Sequence, residues 1–206
     1  GDDVQLKNSN DADAFLKPFW SKHNEKWWSK EFAQTVTELL PENSAKQIVV
    51  WNPGCGQGFE AYSLACVLKQ KYPTAKVRIY AHDIDLLAVS NATMINVPKD
   101  IASDWYAPFV TQKTNGEYTF KQDIKDCIMF EYHDCKNSNT LPMVDLVFAR
   151  DTLSFLDEAS QKNVISDFIE KMKGNAIAII GENEAMPVSF NFREQNYGTL
   201  YAYSKD

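Results

Sequence analysis

Apolar and polar residues alternate along this chain in two periods, and the order in which those periods change outlines an architecture. Short apolar runs at residues 47–51, 76–81, 127–132, 144–148 and 176–180 read as buried strands. Helical spacing falls between them: at residues 60–71, where Tyr62, Leu64, Ala65 and Leu68 share a face, at 86–93, and at 158–173, with Gly174 in the place of a C-cap. Strands alternating with helices predict a parallel sheet with crossover helices on both faces. Residues 14–40 carry Phe15, Leu16, Phe19, Trp20, Trp27, Trp28, Phe32, Val36, Leu39 and Leu40, which predicts one or two amphipathic helices turned toward the sheet. The rhythm breaks at 96–126, where Asn115-Gly116 between aromatic and β-branched residues signals a hairpin, so a small antiparallel appendage is expected. A second hairpin is expected around residues 196–198. The division that follows is a polar tail with packed helices over residues 1–45, and a main domain over 46–206 that carries the insert.

The junction of the first strand and helix holds the strongest chemical signal. Residues 49–60 read Val-Val-Trp-Asn-Pro-Gly-Cys-Gly-Gln-Gly-Phe-Glu: a strand runs through a glycine-dense turn into a helix. Gly54, Gly56 and Gly58 permit a sharp turn and a close backbone approach to a ligand. A dinucleotide fingerprint places its third glycine where Phe59 stands, so the pattern is Gly-x-Gly-x-Gly, as in S-adenosylmethionine-dependent methyltransferases. Asp83 follows the next strand, 76–81, at about the 20-residue interval of an acid that takes ribose hydroxyls, and a carboxylate accepts from two hydroxyls at once. The alternative is that it caps the following helix, a role assigned here to Asp85.

Composition narrows the class. At 206 residues, with 44% hydrophobic and 24% charged side chains, the chain suits one soluble domain with a full core. No apolar run approaches the ~20 residues of a membrane span and the start has no signal-peptide pattern, so a cytoplasmic protein without membrane insertion is expected. Gly1, with no methionine before it, reads as a processing scar. Cys55, Cys66, Cys127 and Cys135 form no Cys-x-x-Cys pair and His23, His82 and His133 are dispersed, so no metal site is expected. A net charge of -7 argues against a nucleic-acid partner.

Several segments, in order, resemble the chemotaxis receptor methyltransferase (CheR) family. They are residues 54–63 with Glu60-Ala61-Tyr62-Ser63, residues 81–85, residues 144–156, Gly181-Glu182-Asn183-Glu184, and the ending Tyr201-Ala202-Tyr203-Ser204-Lys205-Asp206. The resemblance implies a Rossmann-like class I methyltransferase fold, mostly parallel and α/β, with the appendage at the place of a small β-subdomain that can hold a receptor tail peptide. It implies S-adenosylmethionine as cofactor and S-adenosylhomocysteine as product, with a chemoreceptor glutamate or another protein carboxylate as acceptor. By the same resemblance Gly54, Cys55, Gly56, Gly58, Glu60 and Asp83 line the cofactor pocket, with Asp134 and Cys135 near the adenine and Arg150 and Asp151 beside the amino-acid end. The readings of the residues themselves leave open a solvated loop acid for Asp134 and a surface salt bridge for Arg150. In Asp13-Ala14-Phe15-Leu16-Lys17, Lys17 stands where the family places an arginine that steers the acceptor carboxylate, and with Arg150 it forms the candidate catalytic pair. Lysine keeps that charge without the bidentate fork. Phe155 replaces a family tyrosine, Asp151 replaces an asparagine, and the family's N-terminal helical domain is not seen.

A carboxylate acceptor, with a reference pKa of about 4.3, is already ionised at neutral pH, so its methylation needs alignment and desolvation and no base. Methylation of a lysine would need one. The reading is therefore a protein-glutamate O-methyltransferase; the alternatives are a cofactor-binding module that has lost turnover and a methyltransferase acting on a small carboxylate.

Overall fold

A computed structural model of the chain describes His23 and residues 26–205. Lys17 and the aromatics Phe15, Phe19 and Trp20 lie outside the described residues, as does most of the expected N-terminal helical stretch. The elements are α1 (Lys30–Leu39), β1 (Gln47–Pro53), α2 (Phe59–Lys71), β2 (Lys76–Asp83), α3 (Leu86–Ala92), α4 (Lys99–Ala102), β3 (Val110–Gln112), β4 (Tyr118–Phe120), α5 (Gln122–Lys125), β5 (Ile128–Tyr132), β6 (Val144–Ala149), α6 (Glu158–Lys171), β7 (Met172–Ile180), β8 (Phe192–Tyr197) and β9 (Leu200–Lys205).

The main sheet has seven strands in the order β5-β2-β1-β6-β7-β9-β8. The first five are parallel, while β9 and β8 turn back antiparallel. From β1 the chain steps outward through β2 to β5, then returns to lay β6 on the other side of β1. That reversal makes a topological switch point at the carboxyl ends of β1 and β6, the place where open α/β sheets hold the crevice that binds ligands. One face of the sheet is covered by α1, α2 and the appendage around Tyr106 and Phe120, and the other by α6, whose Phe168 meets Trp51 edge-on at 5.2 Å. No described helix is long and apolar enough to cross a membrane.

Three expectations change. The helix read as one-faced is buried on every residue from Glu60 to Leu68, because α2 lies between the sheet, α1 and the appendage, where Tyr62 stacks on Phe120 at 4.6 Å. The last helix ends at Lys171, with Met172 already extended, so Gly174 is a strand residue and no cap. It lies in an irregular stretch where a step of two residues from Val144 to Leu146 faces a step of five from Met172 to Ile177. Both strands at the glycine turn run two residues longer than expected, which makes Asp83 the last residue of β2 and places Asn52 and Pro53 in β1. Both predicted hairpins form, with Gly116 at φ +87° beside β3–β4 and Gly198 at φ +59° closing β8–β9.

Candidate functional site

Parallel pairing of β1 with β2 sets Pro53 beside His82, so the turn that leaves β1 begins level with Asp83. Gly54, Gly56 and Gly58 all have left-handed backbone, at φ +70°, +53° and +91°. At Gly54 a Cβ would stand 2.8 Å from Thr152 Oγ1, and at Gly58 it would meet Ala92 Cβ at 2.9 Å and Phe130 Cζ at 3.0 Å. These two glycines are therefore required by the protein's own packing as well as by the turn. The Cys55 N–H donates to the His82 carbonyl at 3.0 Å, which ties the turn to β2. Burial pushes the Cys55 thiol well up, so it stays neutral and packs.

Asp83 closes this turn. Its Oδ2 accepts from the Gly56 N–H at 2.7 Å and its Oδ1 from the Asp85 N–H at 2.9 Å, leaving an acceptor site on each oxygen. Desolvation raises its carboxyl above the usual range, and the backbone donors of Asp85, Gly56 and Ile84 pull it back. Asp85 is the helix cap, accepting from the N–H groups of Leu87 and Ala88. Asp134 and Cys135 follow β5 and lie beside Asp83, because the preceding residue, His133, donates its N–H to the Asp83 carbonyl at 3.0 Å. Asp134 is half-buried, 3.7 Å from Lys136 Nζ, and holds the Lys136 N–H. Burial, with Asp134 close by, pushes the Cys135 thiol up to about 11.

On the opposite wall Glu60 and Arg150, each 5% exposed, form a buried ion pair: Arg150 Nε and Nη2 both reach Glu60 Oε2 at 2.8 Å. The guanidinium also lies over the Phe32 ring, 4.3 Å from its centroid. Burial raises the Glu60 carboxyl, while the charge of Arg150 and hydrogen bonds from Arg150 and Asn52 oppose the rise. Asn52, fully buried between these groups and β6, donates from Nδ2 to the Phe148 carbonyl at 2.8 Å, and its Oδ1 has no hydrogen-bond partner. Asp151 follows with a left-handed φ of +55°, its Oδ2 lying 3.5 Å from His23 Nε2. Phe155, where a family tyrosine would stand, is 46% exposed.

The fold thus brings Gly54, Cys55, Gly56, Gly58, Glu60, Asp83, Asp134, Cys135, Arg150 and Asp151 to the carboxyl ends of β1, β2, β5 and β6. Reading the residues alone missed Asn52, Thr152, His23 and Glu184. A polar residue ending an otherwise apolar strand was a signal for Asn52; nothing in the sequence pointed to Thr152 or His23.

Comparison with known proteins decides the family. The description "CheR methyltransferase, SAM binding domain" matches residues 17–201. The chain belongs to that family. A chemotaxis protein methyltransferase of Vibrio cholerae is 22% identical over 200 residues, covering 88% of this chain and 69% of that protein. One from Borreliella burgdorferi is 24% identical over 181 residues, covering 81% of this chain and 62% of its own length. The chain thus spans about two-thirds of these relatives. Among solved structures, the glycopeptide N-methyltransferase MtfA complexed with sinefungin superposes with a TM-score of 0.51 at 12% identity, covering 92% of this chain and 67% of that one. The fold is that of the class I S-adenosylmethionine-dependent methyltransferases.

The donor set of this CheR-family domain fits S-adenosylmethionine. Asp83 keeps free acceptor capacity for ribose hydroxyls, and Asn52 Oδ1 is a buried acceptor in want of a donor. Glu60 and Arg150 set fixed opposite charges where an amino-acid end would lie. Among the described residues no group of three or more His, Cys, Asp or Glu side chains is placed to hold a metal ion.

Proposed function

We propose that this domain transfers a methyl group to a protein carboxylate, with a chemoreceptor glutamate as the acceptor. The observation that carries the reading is the gathering of the buried Glu60–Arg150 pair, the unpartnered Asn52 Oδ1 and the Asp83-held glycine turn at the carboxyl ends of β1, β2 and β6, in a chain of the CheR family. When bound, S-adenosylmethionine supplies an electrophilic sulfonium methyl. Asp83 would accept from the ribose hydroxyls while the Gly56 N–H holds its carboxylate in place. Asn52 Oδ1 and Glu60 would accept from the α-amino group, and Arg150, which stays ionised, would hold the carboxylate end. The turn from Gly54 to Gly58 and the half-buried Asp134 and Cys135 would wall off the adenosine and exclude water.

An acceptor carboxylate arrives ionised at neutral pH and needs no general base. The high-pKa thiols of Cys55 and Cys135 fit a direct transfer in which neither is a nucleophile. Lys17, outside the described residues, is proposed as an anchor for the acceptor. The groove of about 420 Å³ on the appendage, lined by Val97, Pro98, Gln112 and Tyr118, is proposed as the seat of a receptor tail peptide.

A second reading, a cofactor-binding module without turnover, is favoured by the carboxylate of Asp151 and the missing hydroxyl at Phe155. Incubation with labelled S-adenosylmethionine and chemoreceptor fragments separates the two. Base-labile methyl ester supports the enzyme; S-adenosylhomocysteine binding with no ester leaves the module.

A further inference from the structure

One carboxylate near the crevice is engaged by more backbone donors than any strand or helix requires. Glu184 Oε2 accepts from the Gly181 N–H at 2.8 Å and the Asp151 N–H at 3.0 Å, and Oε1 accepts from the Ser154 N–H at 2.8 Å. Three amides converging on one charged side chain join the end of β7 to the loop that leaves β6. Charge-assisted bonds of this type are about twice as strong as neutral ones. The loop carries Arg150, Asp151 and Thr152, and Asp151 is one of two described non-glycine residues with positive φ, at +55°. Such backbone is disfavoured by about 1–2 kcal/mol in an L-residue and persists only where neighbours impose it.

Gly181 completes the arrangement. A Cβ there would stand 2.6 Å from Asp151 Oδ1, 3.0 Å from Glu184 Oε2 and 3.1 Å from the Asp151 N, so an added methyl would push the Asp151 side chain aside and crowd its backbone. The other oxygen of Asp151 faces His23 Nε2 at 3.5 Å. The side chain is thus held between the end of β7 and His23, on the β6–β7 side of the glycine turn and away from Asp83.

We propose that Glu184 is a positioning residue: it holds Asp151 in the left-handed conformation and so sets the loop wall, from Asp151 to Phe155, past which the methyl acceptor enters. This rests on the methyl-transfer reading above. It predicts that loss of the clamp disturbs the acceptor more than the cofactor, because Asp83, Gly56 and Asn52 make their hydrogen bonds elsewhere and the Arg150 guanidinium is held separately by Glu60.

Two variants test it. Glu184→Gln removes the charge and turns an amide N–H toward a backbone donor; Gly181→Ala keeps the charge and displaces Asp151. Amide hydrogen exchange, S-adenosylhomocysteine affinity by calorimetry, and kcat and KM for a chemoreceptor fragment are measured on each. In both, exchange at the Asp151 and Ser154 amides should rise by about tenfold or more, which corresponds to the loss of one net hydrogen bond. The acceptor kcat/KM should fall about tenfold while cofactor affinity changes less than about threefold. Unchanged exchange at both amides in Glu184→Gln overturns the clamp, and cofactor affinity falling in step with turnover overturns its assignment to the acceptor side. Should the wild-type protein make no ester at all, the methyl-transfer reading fails, and the exchange data still decide the clamp.

Discussion

Replacing Glu60 by methionine should be among the most damaging single changes in the molecule. The substitution keeps the length of the side chain and removes the charge that Arg150 meets at 2.8 Å through both Nε and Nη2. Both residues are 5% exposed, so water cannot take the place of the lost partner. The Phe32 face at 4.3 Å offers only a fraction of what a carboxylate supplies. Leaving one member of a buried pair uncompensated costs about 3–5 kcal/mol, against the ~5–15 kcal/mol that holds a domain together. At about 2–4 °C per kcal/mol for a domain of 150–250 residues, Tm should fall by about 6–20 °C, measured by scanning calorimetry at neutral pH. The double variant Glu60→Met with Arg150→Met should recover more than half of that fall, since two apolar side chains of similar length leave no buried charge. A single variant whose Tm stays within about 3 °C of wild type, or a double variant less stable than the single one, would refute the claim that desolvation makes this pair matter.

Other changes probe neighbouring links. Asp83→Asn puts an amide N–H against the Gly56 or Asp85 donor and weakens the ribose acceptor; S-adenosylhomocysteine affinity should drop about 10- to 150-fold by calorimetry, the equivalent of about 1.5–3 kcal/mol. In the wild type the same affinity should decline on acidification at a pH above the ordinary carboxylate range, because burial raises the Asp83 carboxyl and the ionised form binds; a profile flat down to pH 4 would count against it. Gly58→Ala forces a side chain into left-handed backbone with Ala92 Cβ 2.9 Å away, so Tm should fall measurably, and an unchanged Tm would mean the turn is not held as described. His82 accepts from Trp51 Nε1 at 3.2 Å through a neutral Nδ1, and burial, with His133 close by, lowers its pKa. A depressed folded pKa means the unfolded state binds the proton more readily, so this contribution is full above about 6.5 and is lost as pH falls through the folded value. Thermal scans from pH 8 to 5 should show that loss, and His82→Asn should flatten it.

Much of the fold was legible because its sheet is parallel and buried on both faces, which writes strands as near-continuous apolar runs such as Ile48-Val49-Val50-Trp51. Turn chemistry was equally local: Asn115-Gly116 marked its hairpin. What failed depended on distant partners. The helix from Phe59 to Lys71 shows one apolar face in sequence, yet Ser63 and Glu60 are also buried, because Tyr106 Oη at 2.7 Å and Arg150 reach them from 43 and 90 residues away. Gly174 misled for the opposite reason. Its place after a helix fits a cap, whereas the end of α6 is set by Met172 pairing with Val144.

The site was legible where chemistry sits at strand ends and obscure where it acts across the crevice. Asp83 could be named from its distance to the glycine turn, and the alternative that it caps a helix fell away once Asp85 was seen holding Leu87 and Ala88. Arg150 was anticipated to stay ionised beside the cofactor's carboxylate, with a surface salt bridge as the alternative, and its ion pair with Glu60 is buried rather than on the surface. Its charge is already matched by Glu60 in the interior, so it can draw in an anion only through the N–H donors that Glu60 leaves unused. Binding there would work by direction more than by net charge, so a chain of formal charge -7 could still present a fixed guanidinium to a carboxylate. Positive charge to draw an anionic acceptor would then come from groups outside that pair, which sets Lys17 apart from Arg150 in any mutational comparison: its loss should raise acceptor KM with salt-sensitive kinetics, whereas loss of Arg150 should lower stability first.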